Sequence, residues 1–287
     1  MVLSPNPAEP DSPFSKGIAR QPSDKNRRSW ATQLIGTIGC LLALGGSILV
    51  PAVDCFGGAR RFTFVYEATT TPPGAIEAEN WVTWQTHSPN ESHFNEVDFR
   101  HEVEFGVTDN FQVSVYLADW NYHSALSHGP GGVSYTDTAI ELIYNFTNPL
   151  TDPIGFSAYE EIQAGDRHGE LESKLIAQKD FGRFVASYNV TLEAKWNGAD
   201  WKEHDGELQQ ALGLSYELSP RFFLGTECLH EVALPNWTNH GRASFFVGPN
   251  FSVRSGRWWM TVTPLAQATR NGNEPELQLR TIAGYTF

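Results

Sequence analysis

The chain has 287 residues and a formal net charge of −13, with 18 Phe, 9 Trp and 9 Tyr but only 40% hydrophobic residues. Setting aside the five basic and four acidic residues of 1–59 leaves 15 basic against 29 acidic, which excludes the basic face that nucleic-acid binding needs. Cysteines at 40, 55 and 228 cannot build a disulfide framework or a thiolate metal site, and a single apolar run approaches the length of a membrane helix.

Residues 1–24 are rich in Pro and Ser and read as a disordered extension. Lys25, Arg27 and Arg28 then precede the apolar run 34–50, LIGTIGCLLALGGSILV, and small residues follow it. That is the order of a secretory signal peptide, with cleavage expected after Ala52 or Ala59; a signal anchor is the alternative. Asp54 stands before Cys55 where a lipoprotein site would have a small residue. The expectation is an exported protein, with 1–59 as extension plus signal peptide.

Residues 60–74 end at Pro72-Pro73-Gly74 and are expected to form a periplasmic lead-in, or else a short piece tucked into the body. From residue 75 to 287, alternating segments follow one another between turn residues. The expected strands are 75–87, 94–107, 111–122, 133–147, 154–165, 169–181, 183–197, 206–218, 221–234, 242–254, 257–269 and 277–287. Period-two alternation over such lengths exceeds the roughly 5–6 residues usual in soluble sheets and suits tilted strands crossing a bilayer. The fold class predicted is all-β: a transmembrane antiparallel up-and-down barrel of twelve strands, with moderate hydrophobicity because apolar-out alternates with polar-in.

The connections sort into two alternating classes. Tight ones lie at 108–110, 148–153, 182, 219–220 and 255–256; longer ones lie at 88–93, 123–132, 166–168, 198–205, 235–241 and 270–276. Short periplasmic turns and long outer loops are the barrel pattern. Aromatics gather beside the tight turns on the outward parity: Phe111, Phe184, Phe222 and Trp258 after them, and Phe105, Phe146, Phe181, Tyr216 and Phe251 before them. This is an interfacial girdle. The last strand ends on Tyr285 and Phe287, which resemble the C-terminal signal read by the barrel-assembly machinery. Pro249 and Pro264 fall within strands, where bulges are expected.

The stretch 62–85, FTFVYEATTTPPGAIEAENWVTWQ, resembles the opening of the phenol-degradation meta-pathway outer-membrane transporter family: an acidic stretch, a Pro-Gly turn and a strand rich in Glu and aromatics. The resemblance implies a barrel and transport, and carries no catalytic residue.

Opposite the apolar parity, acidic residues recur. The expected lumen-lining set is Glu77, Glu79, Glu96, Asp98, Arg100, Glu102, Glu104, Glu141, Glu193, Glu227 and Arg280. Such a lining makes either a salt-bridged filling or a water-filled, cation-preferring path, since rings of Asp or Glu select cations. Seven histidines (87, 93, 123, 128, 168, 204 and 240) sit in or beside the long connections without a metal-ligand spacing, so neither metal nor cofactor is expected. An outer-membrane lipase or protease would need a Ser–His or Asp–His pair near the outer rim; Ser124, Ser127, His123, His128 and Asp119 are the generic candidates. The function expected first is a channel or transporter for a small solute, partnered by outer-membrane lipid and the assembly machinery. The alternatives are a closed structural or surface-interaction barrel and, after it, a lipid-active enzyme.

Overall fold

Strict alternation needs one polar and one apolar environment, and a closed sheet provides both while leaving no unpaired edge. A computed structural model describes residues 59–124, 131–198, 201–238 and 241–287. Its strand segments are β1 (Ile76–Ser88), β2 (Glu91–Thr108), β3 (Phe111–Tyr116), β4 (Trp120–His123), β5 (Gly132–Tyr135), β6 (Asp137–Thr147) and β7 (Gly155–Gly165), followed by β8 (His168–Phe181), β9 (Phe184–Asn197), β10 (Glu203–Ser219), β11 (Phe222–Leu234), β12 (Ala243–Ser255), β13 (Trp258–Gln267) and β14 (Leu277–Thr286). Every ladder is antiparallel, and β1 pairs with β2 on one side and β14 on the other, so the sheet closes. β3 with β4, and β5 with β6, are single barrel strands interrupted at 117–119 and at Thr136, which gives twelve strands. The interruptions do not open the wall: Asp119 N–H donates to Asp137 O, Thr136 N–H to Asp119 O, and Leu117 N–H to His101 O, each at 2.9 Å.

Two connections are shorter than expected. His87 takes a positive φ of 55°, the register shifts there, and Ser88 pairs with Glu91, so the 88–93 loop is a tight turn. β10 starts at Glu203 because 203–205 continue the ladder with Asn197, Trp196 and Lys195. The bulges expected at Pro249 and Pro264 are absent. Both prolines pair on their other edges, with Thr226 and Leu279. Between them the β12–β13 ladder stops after Val247↔Ala266 and resumes at Phe251↔Val262 in unchanged register. The two prolines therefore face each other, neither having an N–H to donate, and no residue is inserted.

The two faces separate as the alternation requires. Outward side chains near the tight turns are wide open, with Phe181 58%, Phe184 57% and Trp258 61% exposed. Rings pair there across strands, Phe184 with Tyr216 at 4.5 Å and Trp258 with Tyr285 at 4.6 Å between centroids. A polar pair interrupts this face, Asn80 with His101, hydrogen-bonded at 2.9 Å. Inward, Glu77, Glu79, Glu102, Glu141, Glu161 and Glu227 are all buried.

Residues 60–71 are not a lead-in outside the wall; they run inside the barrel. Phe62, Phe64 and Val65 pack on inward Val185, Ala211, Leu229, Phe246 and Leu265, and Tyr66 and Ala68 pack on Trp81, Ile143, Tyr159, Ile176, Trp259 and Ile282. The barrel's apolar core is thus a contact between this segment and the wall. Gly213 makes room for it: a Cβ there would stand 2.7 Å from the Phe62 ring.

Candidate functional site

The 60–71 segment forms no strand, so its buried backbone groups need other partners. Side chains of the wall supply them. Glu227 on β11 accepts from three successive amides, Thr63 (2.9 Å), Phe64 (2.6 Å) and Val65 (3.0 Å), while Asn250 and Thr263 also donate to it. Asn250 and Thr263 flank the gap between the facing prolines, so the side chains there are turned to this carboxylate. Tyr66 N–H donates to Asn189, Ala68 N–H to Gln178 and Thr71 N–H to Gln112. The carbonyls are met as well: Ser252 and Thr261 donate to Arg60 O, Ser187 and Asn189 to Tyr66 O, and Arg280 to Thr63 O.

On the opposite wall the contacts are ionic. Arg60 Nε lies 3.2 Å from Glu79, and its Nη2 lies 3.4 Å from Glu104 and 3.9 Å from Glu102. Its guanidinium also stands over Tyr66 and Trp81, 4.2 and 4.6 Å from the ring centroids. Arg100 bridges Asp119 (2.6 Å) and Glu161 (2.7 Å), and Arg61 pairs with Glu67 within the segment.

The segment divides the lumen. Toward the tight turns lies a cavity of about 230 Å³ bounded by Arg61, Glu67, Asp109, Asp180 and Arg254. Toward the long loops lies one of about 150 Å³ bounded by Phe64, Arg100, Lys174, Glu193, Glu231 and Arg280. Beyond the strand ends, burial and the nearby Glu207 carboxylate push the Glu274 carboxyl above its ordinary range.

The residues picked from the sequence thus meet different fates. Glu79, Glu102, Glu104, Glu227 and Arg280 converge on the segment, and Glu141 accepts from its Tyr66 hydroxyl at 3.2 Å. Glu77 accepts from Trp259 Nε1 at 2.7 Å, and Glu141 from Tyr116 (2.8 Å) and Ser114 (3.0 Å). Glu96 and Asp98 share Asn121, and Glu193 pairs with Lys195. Tyr285 and Phe287 meet edge to face on the outer face, their centroids 5.0 Å apart. Asp119, one of the catalytic candidates, is taken up by Arg100. Ser127, His128 and His240 lie outside the described residues, as do Cys40, Cys55 and the leader. Among the described residues, no histidine belongs to the close carboxylate groupings of the lumen. Sequence reasoning missed Gln112, Gln178, Asn189 and Arg60. The available signal was the inward apolar set Val185, Leu229, Phe246 and Leu265, which breaks the polar-in rule and calls for an apolar partner.

Comparison with known proteins follows the same outline. Residues 56–281 match the profile of a family of unknown function, DUF6662. The chain belongs to that family. This DUF6662 barrel matches no curated protein sequence. It is similar to the COG4313 outer membrane channel from Pseudomonas putida F1, at 11% identity and TM-score 0.58 over 77% of this chain and 98% of that one. It also matches the KdgM and NanC porins, at 8% and 10% identity, each with TM-score 0.49 over 74% of this chain and 99% of the porin. At such identities the first likeness shows the fold, and the two porins carry no further argument for this DUF6662 chain.

Proposed function

We propose that this barrel is an outer-membrane channel for a small solute, with residues 60–71 as the part that fills its bore. The observation that supports it most is what fills the lumen. Wall side chains close an eight-stranded barrel, whereas 16–18 strands leave an aqueous channel. Here twelve strands hold a chain segment, so a bore at least one polypeptide wide exists without it. The resemblance of 62–85 to phenol-degradation transporters points the same way. The inner face is acidic, so the path prefers cations. Tyr285 and Phe287 are proposed as the assembly signal, and the outward aromatics as the lipid contact.

The test is conductance in a planar bilayer, comparing the intact chain with one lacking 60–70. The deletion should open a steady pore whose reversal potential under a KCl gradient favours K⁺. If the deletion variant folds by circular dichroism and stays silent, the closed structural barrel replaces the channel. A reversal potential at zero would remove the cation preference alone.

A further inference from the structure

On the inner faces of β1, β2 and β6, the carboxyls of Glu77, Glu79, Glu102, Glu104 and Glu141 are buried, and one guanidinium, that of Arg60, lies within ion-pair distance of Glu79, Glu102 and Glu104. Four of the five accept hydrogen bonds: Glu77 from Trp259 and Thr286, Glu79 from Trp81 and Arg60, Glu104 from Thr71 and Arg60, and Glu141 from Tyr116, Ser114 and Tyr66. Glu102 is different. It is 1% exposed, and neither of its carboxylate oxygens has a hydrogen-bond partner among the described residues. The nearest cation is the Arg60 guanidinium, whose Nη2 stands 3.9 Å away and which already meets Glu79 through Nε and Glu104 through Nη2. A buried carboxylate without a partner is strongly unfavourable, and its neighbours are further carboxylates.

We propose that Glu102, Glu104 and Glu141 form a binding site for a divalent cation of the calcium class. One oxygen from each lies within 4.8 Å of the others. Ca²⁺ takes several carboxylate oxygens at about 2.3–2.6 Å in flexible geometry, so oxygens gathered this closely can close on one ion. Mg²⁺ dehydrates reluctantly and usually keeps several waters, so a buried all-carboxylate set favours Ca²⁺. Carboxylate oxygen is the ligand hard cations prefer. The ion supplies the charge that Arg60 alone does not. Because Glu104 also accepts from Thr71 of the re-entrant segment at 2.7 Å, the ion sits beneath that segment's foot and ties it to the wall.

Metal content measured by mass spectrometry on the full chain, refolded in detergent with and without Ca²⁺, tests this directly. Refolding with Ca²⁺ should give one tightly held ion per chain, and that ion should be lost in Glu102→Gln. Ca²⁺ should also raise the temperature at which the folded band disappears on unboiled gels, and should not do so in the variant. If Glu102→Gln does not fold, Glu141→Gln provides the same comparison. No uptake by the unsubstituted chain overturns the site, since Glu102 is then neutral or water-bridged. Equal uptake by a folded variant overturns it too, and uptake of Mg²⁺ in preference to Ca²⁺ overturns the choice of ion. None of these readings depends on conductance, so a silent barrel that binds Ca²⁺ would refute the channel and keep the site.

Discussion

The two walls that grip residues 60–71 do so by different means. The wall formed by β1, β2 and β6 reads side chains: its glutamates pair with Arg60 and accept from the Tyr66 and Thr71 hydroxyls, and the ionic part of that hold would go with one substitution. The wall from β8 to β13 reads the backbone: Glu227, Asn189, Gln178, Ser187, Ser252 and Thr261 bond amides and carbonyls that any sequence would present. The difference teaches that a chain can be seated inside a barrel without joining its sheet. Specificity then comes from a few side chains, Arg60 foremost, and the irregular backbone is satisfied by polar side chains where a strand would have used ladder bonds.

Removing the charge is the harshest way to break the ionic grip. Arg60→Ala leaves the Glu79, Glu102 and Glu104 carboxyls without their base, and loss of one partner from a buried ion pair costs about 3–5 kcal/mol. Loss of folded barrel at lower urea than the unsubstituted chain is the expected result; an unchanged midpoint would show that these carboxyls are neutral. Attacking the backbone grip should do less. Glu227→Gln keeps an acceptor oxygen but loses the charge facing three amides, so the expected loss is about 1.5–3 kcal/mol, the worth of one hydrogen bond to a charged group. A cysteine placed at Val65 should then become reachable by a water-soluble maleimide, and equal labelling in both backgrounds would contradict that role for Glu227.

Gly213→Val tests packing where both grips meet the apolar core. The added methyls collide with the Phe62 ring, and overpacking costs about 1–3 kcal/mol. The same labelling at Val65 should rise, with the wall still folded by circular dichroism. Smallest is a control on the outer face: Trp258→Ala removes a ring pair with Tyr285, worth about 0.5–1.5 kcal/mol beyond its buried area. It should lower the unfolding midpoint slightly and leave Val65 labelling unchanged. If labelling rose, the inner grips would be coupled to the girdle.

Much of the wall was legible because period two is a property of the chain alone. Strands such as 183–197 and 277–287 needed only the alternation of Val185, Ser187, Asn189 or Leu277, Leu279, Thr281 to be found within a residue or two of their ends. The girdle was legible for the same reason, since Phe181, Phe184 and Trp258 stand beside turn residues. What escaped was set by contacts distant in sequence. Thr63 meets Glu227 across 164 positions, and nothing local to residues 60–71 tells a strand-like FTFVY from a segment that will be held by side chains. The prolines misled because a residue without an N–H suggests an inserted neighbour, while two facing each other leave the register alone. Glu227 and Glu102 looked alike in the sequence, as inward acids; only the fold gives one three amides and the other none.

Both ends of the re-entrant segment leave by the same mouth. Arg254 donates to Ala59 O at 2.6 Å beside the β12–β13 turn, and Gly74 N–H donates to Gly106 O at 2.8 Å beside the β2–β3 turn. The chain therefore dips into the bore and returns rather than threading it. A threaded chain could be removed only by pulling a free end the length of the barrel or by unzipping β1 from β14. A dipped one has no such topological bond, so its seat in the bore rests on side-chain contacts with the wall and on no strand pairing.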